Sequence, residues 1–447
     1  MNFSGGTRTL HNWAQFNHKG NLTAAGEEAY SIIERLYPLC RSITGNGTRK
    51  TLDIIGEQIE LKRTELPTGT QIFDWQVPKE WNIRDAYIIT PEGEKILDFK
   101  ENNLHVTGYS LPVKQTMSKA NLLPHLHSLP KYPKWIPYTY SYYNETWGFS
   151  ICHDHLQTLS NGDYQVFIDS DLQPGHLSYA EHVIPGQSDQ EFLIYTHVCH
   201  PSLCNDNLSG ISISIELAKF LGQQTQLNYT YRFIFAPATI GSISWLSQNQ
   251  DKFGKIKAGL IIAVAGDAGQ LTYKKSRNED DYTNSLVLNA LEASGKPFRI
   301  EEFTPFGYDE RQFCSPGINL PVGRLTRTPN GCYPEYHTSA DNLDIVEPAY
   351  LTDTMEAYLD IIELFENNRT FKNTRPYGEP HLDKHRLYQK AGAYNIQDNT
   401  FAILWVLNQS DGKNSLLDIA RKSKLPYSDI LSANKALYDV NLLELVD

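Results

Sequence analysis

The sequence predicts an α/β fold in which a mainly parallel sheet is covered by helices on both faces. From about residue 163 onward, the apolar runs "EFLIYTHV", "YRFIFAPA" and "AGLIIAVAG" alternate with runs of helical periodicity such as "LSGISISIELAKFL". Strands that are apolar throughout are buried on both faces, and their alternation with helices is typical of parallel α/β sheets. Residues 23–60 add two predicted helices, separated at Gly45 and Gly47.

Two further units accompany this layer. Residues 64–150 consist of short alternating runs with many aromatic side chains and frequent turn residues, which predicts an inserted small β domain. Residues 379–447 give three short helices and a final strand-like run, the order of a winged helix-turn-helix. The remaining residues, 1–63 and 151–370, form the expected discontinuous main domain.

Composition limits the possible environments and partners. No run of 18 apolar residues occurs in the 447, and the first twenty residues contain no apolar core of an export signal, so we expect a cytoplasmic protein without a membrane partner. The six cysteines are scattered, as reduced thiols are.

The net charge of −12 argues against a general nucleic-acid surface. Residues 379–447 contain eight Lys or Arg and nine Asp or Glu, whereas a DNA-binding domain is usually basic on one face. We therefore interpret the winged helix as a docking or oligomerisation element, and a homo-oligomer could form through it or through the β insertion. The expected partner is a small molecule or a peptide.

The stretch "HVCHPSLCNDNLSG", residues 197–210, lies between a predicted strand and a predicted helix. Ligand sites of parallel α/β sheets lie beyond the carboxyl ends of the strands, where this stretch falls. His200 and Asp206 offer an imidazole and a carboxylate from one loop, a combination that suits zinc. The alternative is a solvated loop in which Asp206 or Asn207 only caps the helix.

A second polar stretch, "NGCYPEYHTSADN", carries His337 and, four residues later, Asp341. Asp341 would orient His337 as a neighbouring carboxylate, or would cap the segment that follows. Two histidine-containing loops of one α/β domain can meet at the same sheet edge, and together they favour a metal site.

These motifs resemble those of a known superfamily. "NDNLSG", "FAPATIGSISWL", "YDERQFCSPGINLPV" and "YHTSADN" follow the order of motifs in the zinc aminopeptidases with co-catalytic metals. "YPLCRSITGNGTR", "VPKEWNIRDAYI" and "THVCHPSLCNDNLSG" are similar to signatures of a bacterial aminopeptidase-like family with an inserted β domain and a C-terminal winged helix. The resemblance covers nearly the whole chain.

The resemblance implies roles for individual residues. Asp206 matches the metal-binding carboxylate, and His337 matches the distal histidine ligand. Either His197, which ends the strand, or His200, which belongs to the signature "CHPS", supplies the proximal histidine, and we favour His200. Asp267 falls near the third carboxylate ligand of the aminopeptidases, although a turn residue is the alternative.

One departure from the aminopeptidases affects the mechanism. Where they carry paired glutamates, this chain has "PATIGS", with Ala238 and Thr239. A second metal would lose a ligand, so one zinc ion is expected and the proton carrier must be another group. Our candidate is Glu310, with Asp309 and Glu335 as alternatives, and the competing interpretation of "DER" is a solvated charge cluster.

Three other side chains of these loops have two interpretations each. Tyr336 is a candidate hydrogen-bond donor to a developing oxyanion, or a packed tyrosine whose hydroxyl is satisfied. Cys199 and Cys204 are thiolate ligands, or small buried fillers.

The leading hypothesis is thus a zinc-dependent hydrolase that cleaves an amide bond of a small peptide, aminoacylated or N-acylated substrate. The resemblance implies a link to surface-polysaccharide or modified-sugar pathways. The alternatives are a non-catalytic metal- or ligand-binding protein of the same fold, and a winged-helix regulator.

Overall fold

The computed structural model describes residues 16, 22–385, 387 and 398–446. The expected main-domain residues up to residue 21, except residue 16, and residues 386 and 388–397 of the predicted C-terminal unit lie outside these residues. Within the described part of the chain, no helix combines the length and the apolar character that a membrane span requires.

The strands follow the alternation that the sequence predicts, with additional short strands at the edges. In chain order they are β1 (Lys62–Pro67), β2 (Gln71–Ile72), β3 (Trp75–Gln76), β4 (Glu80–Ile89), β5 (Lys95–Ile96), β6 (Val113–Ser118), β7 (Leu126–His127), β8 (Phe149–Ser150), β9 (Asp163–Gln173), β10 (His176–Ile184), β11 (Glu191–His197), β12 (Thr230–Ala236), β13 (Ile256–Ile262), β14 (Leu271–Lys274), β15 (Phe298–Glu301), β16 (Val322–Thr326), β17 (Thr370–Asn373), β18 (Asp411–Ser415) and β19 (Leu443–Leu445).

The helices include both of those predicted within residues 23–60. In chain order they are α1 (Leu22–Leu36), α2 (Asn46–Gly56), α3 (Lys119–Leu122), α4 (His153–Thr158), α5 (Gly210–Gly222), α6 (Ile240–Gln248), α7 (Tyr282–Ser294), α8 (Glu310–Phe313), α9 (Pro348–Asn367), α10 (Asp398–Gln409), α11 (Leu416–Ser423) and α12 (Tyr427–Asp439).

The main sheet has eight strands in the order β1-β10-β12-β11-β13-β16-β14-β15. Its centre is parallel, because β11 pairs in parallel with β12 and β13, and β13 pairs in parallel with β16. The edge strands β1 and β10 are antiparallel, and so is the pair β14 and β16. The predicted fold class, a mainly parallel sheet between helices, is confirmed.

Two apolar cores cover the two faces of this sheet. Successive residues of β11 belong alternately to the two cores. Phe192 and Ile194 belong to the core under α1, α5, α7 and α9. Leu193 and Tyr195 belong to the core under α6 and α8. Every residue of β11 is therefore buried, as the continuous apolar run predicts. A strand buried on both faces holds its carboxyl end firmly, which is where His197 lies.

The accessory units have sheets of their own. The insertion contains a four-stranded sheet, β5-β4-β9-β6, and the C-terminal unit contains a three-stranded sheet, β18-β17-β19, packed against α10, α11 and α12. Two strand pairings cross the boundaries that the sequence predicts. β9, which begins after residue 150, pairs with β4 and β6, and β17, which begins at residue 370, pairs with β18 and β19.

Candidate metal centre

The loop after β11 brings His197, His200 and Asp206 to the carboxyl edge of the main sheet. His197 is the last residue of the strand, and Asp206 lies in the irregular helical turn Cys204–Ser209 that leads into α5. Asp206 and Asn207 have non-helical backbone angles, so this turn departs from the helix and directs the Asp206 side chain toward the strand end. Asp206 and His197 are completely buried.

Three histidines surround the Asp206 carboxylate. The Nε2 atom of His197 lies 3.0 Å from Oδ1, and the Nε2 atom of His337 lies 3.0 Å from Oδ2. The Nε2 atom of His200 lies 3.9 Å from Oδ2. One ligand atom each from His197, His200 and Asp206 fall within 4.8 Å of one another. Both candidates for the proximal histidine therefore face the Asp206 carboxylate.

The charges of this cluster follow from its burial. Burial lowers the pKa of the His200 imidazole well below its ordinary value, which leaves the ring neutral with a free lone pair. Burial acts in the opposite direction on Asp206, but the nearby His200, His197 and His337 more than offset it and hold its pKa well below the ordinary value. The site therefore presents the neutral imidazole of His200 beside an ionised carboxylate.

This donor set fits a zinc ion. Zinc binds neutral imidazole and carboxylate ligands together, and both are present in the protonation states that binding requires. The Nδ1 atom of His197 is buried and makes no hydrogen bond among the described residues. His197, His200 and Asp206 would hold the ion, with His337 beside them.

Two other carboxylates form hydrogen bonds to the loop that carries Asp206, and not to the imidazoles. Asp341 accepts hydrogen bonds from the backbone N–H groups of Asn205 (2.6 Å) and Asp206 (3.0 Å) and from the Tyr333 hydroxyl (3.1 Å). The interpretation that Asp341 orients His337 is thus replaced by one in which it fixes the backbone of Asp206. Burial, with the Asp206 charge, raises the pKa of Asp341 to about 7.

Asp267, which we expected near the third carboxylate ligand, is not among the three residues whose ligand atoms cluster. Its Oδ2 accepts from the Asn205 side-chain amide at 2.7 Å, and its Oδ1 accepts from the Thr328 hydroxyl and the Gly269 N–H, both at 2.6 Å. Its carboxylate is occupied by donors of the protein, so it braces Asn205 beside the site.

Tyr308 contacts the site directly, and the sequence analysis missed it. Its hydroxyl donates to Asp206 Oδ1 at 3.2 Å, and its ring stacks on His197 with centroids 5.2 Å apart. The signal was its position next to Asp309 in "YDERQF", but a tyrosine in such a segment is more often a packing residue.

Tyr138 is a second missed contact, and it comes from the insertion. Its ring centroid lies 5.3 Å from that of His200 and 5.2 Å from that of His337. The Tyr138 N–H donates to the His337 carbonyl oxygen at 2.9 Å, so the insertion is hydrogen-bonded to the loop that carries His337. No spacing in the sequence relates these distant residues.

The two acidic candidates of "YDERQF" have different surroundings. Glu310 is completely buried and forms an ion pair with Lys274 at 3.0 Å, with Arg324 3.6 Å away. Asp309 accepts at Oδ1 from the Thr239 N–H (2.7 Å) and the Ser242 hydroxyl (2.6 Å), while its buried Oδ2 makes no hydrogen bond among the described residues.

Asp309 and Glu310 each have one buried carboxylate oxygen without a hydrogen bond among the described residues, but of the two only Glu310 is paired with a lysine. Burial raises the pKa of Asp309, and the nearby His197 opposes this increase. Asp309 is hydrogen-bonded to Thr239 of the "PATIGS" turn, where this chain lacks the two glutamates of the aminopeptidases. Glu310 is held in the buried ion pair with Lys274.

The remaining candidates are placed as follows. The Tyr336 ring stacks on His337 with centroids 3.9 Å apart, and burial raises the pKa of its hydroxyl, which stays a donor. Glu335 is half-buried and its backbone oxygen accepts from Thr338. Burial raises the pKa of Cys199 to about 12 and also raises that of Cys204, so neither is a thiolate of the isolated protein.

The fold defines the class of protein. A zinc aminopeptidase from Bacillus subtilis superposes with a TM-score of 0.56 over 75% of this chain and 94% of that chain, at 14% identity. The peptidase M28 precursor from Shewanella amazonensis gives a TM-score of 0.55 over 78% of this chain and 96% of that chain, at 12% identity. The architecture is that of the zinc aminopeptidases, which confirms the fold that the motifs imply.

The chain belongs to the family described as a domain of unknown function (DUF4910), whose model matches residues 30–368, and a winged helix-turn-helix model matches residues 369–445. A Clostridium acetobutylicum protein named "Putative polysaccharide biosynthesis protein with aminopeptidase-like domain" is 50% identical over 427 residues, covering 95% of this chain and 98% of the relative. The crystal structure of a "putative peptidase" from the same organism, at 49% identity, covers 95% of this chain and 98% of that chain with a TM-score of 0.89. The resemblance to an aminopeptidase-like family with a C-terminal winged helix is confirmed.

Proposed function

We propose that this protein is a zinc-dependent amide hydrolase of the cytoplasm that holds one metal ion at the Asp206 cluster. The observation that carries the proposal is a completely buried carboxylate with three imidazoles around it and, among the described residues, no lysine or arginine paired with it. A buried carboxylate without a cation is costly, and buried charges of this kind are commonly paired or bound to metals.

The proposed substrate is a small molecule with an amide bond: a peptide, an aminoacylated compound or an N-acylated compound. The fold of the zinc aminopeptidases supports amide cleavage, and the name of the Clostridium acetobutylicum relative supports a place in polysaccharide biosynthesis. An N-acylated or aminoacylated sugar meets both conditions.

Zinc at this cluster would act as a Lewis acid, which polarises an amide carbonyl and makes water acidic enough to react near neutral pH. The chain supplies the remaining functions. Asp309 accepts the proton of the attacking water at Oδ2 and delivers it to the leaving amine, a role that we transfer from Glu310 because the latter is paired with Lys274. Tyr336 donates a hydrogen bond to the oxygen that gains charge.

The first test is metal content. Purified wild-type protein, grown with zinc, should contain about one equivalent per chain, and H197A, H200A and H337A should each lose most of it. H176A is the matched control, because His176 is exposed on β10 away from the site. Wild-type protein without bound zinc under these conditions would refute the proposal.

The second test separates metal binding from turnover. D309N should keep its zinc while hydrolysis of a panel of aminoacyl and N-acyl amides falls by about 10²- to 10⁴-fold. E310Q should instead lower the thermal midpoint, since Lys274 would lose its buried partner. Equal turnover by D309N and the wild type would remove Asp309 from the mechanism.

A second candidate function rests on Ala238 and Thr239, which stand where the aminopeptidases carry two glutamates. With both carboxylates absent, the protein would bind a metal and an amide ligand without cleaving it. Stoichiometric zinc, saturable binding of an N-acyl amide and no turnover across the panel would favour this function over hydrolysis.

A further inference from the structure

We propose that a pocket at the edge of the main sheet opposite the metal centre binds a small phosphorylated molecule. The pocket has a volume of about 650 Å³, and its lining includes Lys257, Arg369, Tyr229, Asn228 and Ser188. Lys257 lies near the start of β13, and Tyr229 immediately precedes β12, so the pocket lies at the amino ends of parallel strands. His197 lies at the carboxyl end of the same sheet, so the pocket is separate from the metal centre.

Two cations converge on one oxygen atom in this pocket. The Lys257 ammonium lies 3.3 Å from the Tyr229 hydroxyl oxygen, and Nη1 of Arg369 lies 3.2 Å from the same oxygen. Both cations also lie over the Tyr229 ring, at 5.0 Å and 5.4 Å from its centroid. The two positive charges repel each other, and an anion bound between them would offset this repulsion by attracting both.

The protein supplies little negative charge to balance these two groups. Among the described residues, neither Lys257 nor Arg369 forms an ion pair with a carboxylate, and the buried Nε of Arg369 makes no hydrogen bond. The Glu366 carboxylate is near Arg369, but it accepts from the N–H groups of Asn228 and Tyr229 and from the Tyr231 hydroxyl. A third cation, Lys255, is paired with Asp189 at the rim.

The donor types favour a phosphate group over other anions. A guanidinium and an ammonium together offer several N–H donors to the oxygens of a phosphate, and the charge-assisted hydrogen bonds so formed are the stronger kind. The neighbouring Ser188, Gln187 and Gln190 are neutral polar residues that suit hydroxyl groups. The volume exceeds that of phosphate alone, so a phosphorylated sugar or a similar polar compound fits better.

Arg369 connects this pocket to the C-terminal unit. Its carbonyl oxygen accepts from the Leu416 N–H at 3.1 Å, and the side chain of the preceding Asn368 accepts from the Leu417 N–H at 2.8 Å. Both donors belong to the first turn of α11. A ligand on Arg369 would therefore stabilise the junction between the main domain and the winged helix.

The test is a titration of the full-length protein by isothermal calorimetry at constant ionic strength, with inorganic phosphate, glucose 1-phosphate and glucose as probes. We expect both phosphate compounds to bind and glucose to fail, with about tenfold weaker binding for K257Q and for R369Q. K114Q is the matched control, because Lys114 is an exposed cation on β6 of the insertion.

Two results would overturn the proposal: no phosphate binding at millimolar concentration, or equal affinity of wild type and K257Q. If R369Q does not fold, K257Q decides the outcome, since Lys257 is only half-buried. Zinc content should be unchanged in K257Q. The proposed hydrolase and this site therefore fail or succeed independently.

Discussion

Asp206 is isolated from solvent, and its two carboxylate oxygens face imidazoles and the Tyr308 hydroxyl. Three residues of the loops at this edge of the sheet have unusual backbone: His337, Thr239 and Ser202 have φ angles of 57°, 59° and 45°. Left-handed backbone at residues other than glycine costs of the order of 1–3 kcal/mol each and persists where the surrounding structure imposes it. The site is thus held by its surroundings and not by local preference.

The hydrogen bonds of Asp341 to the Asn205 and Asp206 N–H groups give the first prediction. D341A should weaken zinc binding by about 10- to 100-fold, since it frees the backbone that carries the Asp206 ligand. Competition with a chelator of known affinity measures the zinc dissociation constant. D344A is the control, because Asp344 is an exposed acid three residues away. An unchanged dissociation constant for D341A would show that the loop holds its form without this carboxylate.

At the scale of elements, helix α2 is joined to the first long strand of the insertion by Arg49 and Glu80. Two hydrogen bonds of 2.7 Å and 2.6 Å connect the guanidinium to the carboxylate, and the His176 N–H of β10 donates to the same carboxylate. The Arg49 hydrogen bonds lower the pKa of Glu80 to about 2 from an ordinary value of 4.5. One carboxylate thus connects three elements at the base of the insertion.

This pair predicts a pH-dependent contribution to stability. Because the folded-state pKa lies below the ordinary value, Glu80 stabilises the native state above about pH 5, and this contribution is lost as the pH falls toward 2. E80Q should therefore lower the thermal midpoint at pH 7, and the difference from wild type should shrink between pH 5 and 3. E94Q, at an exposed turn, is the control. A difference that stays constant with pH would mean that the Glu80 charge is not responsible.

The second element-scale prediction concerns a buried ion cluster across three neighbouring strands. Arg232 of β12 donates to Glu191 of β11 at 2.6 Å and to Glu181 of β10 at 2.7 Å, and Glu181 also accepts from the Trp245 indole. R232A leaves two buried carboxylates without a cation, which should cost about 3–5 kcal/mol. A fall in the thermal midpoint of the main domain, absent in R299A on the exposed edge strand β15, would support this.

At the scale of the whole molecule, three units have their own apolar cores: the main domain, the insertion and the C-terminal winged helix. Two of the contacts between them lie at the two sites that we propose. The insertion delivers Tyr138 to the histidines, and Arg369 joins the winged helix to the main domain. A role for the insertion or the winged helix in oligomerisation remains a prediction.

The winged helix gives the fourth prediction. Because residues 379–447 carry nine acidic and eight basic side chains, the full-length protein should show no salt-sensitive binding to duplex DNA at micromolar concentration. Fluorescence anisotropy of a labelled duplex, measured at two salt concentrations, tests this. Binding that weakens steeply with salt would instead favour the winged-helix regulator.

Much of the fold and part of the site followed from the sequence alone. Apolar runs predicted β11, β12 and β13 because burial on both faces leaves a continuous pattern, and the two polar loops predicted Asp206, His200 and His337 because strand ends converge at one edge. The family motifs added His197 as an alternative ligand and the absence of the glutamate pair. These features depend on residues that are close together in the sequence, so a local sequence pattern is enough to predict them.

Only the tertiary structure decided which neighbours each side chain has. It brought both His197 and His200 to Asp206, bonded Asp341 and Asp267 to the loop that carries Asp206, and paired Glu310 with Lys274. It also paired β9 with β4 and β6 of the insertion. Hydrogen bonds, ion pairs and sheet registers between distant residues depend on positions in space, and the spacing of residues along one chain does not encode them in readable form.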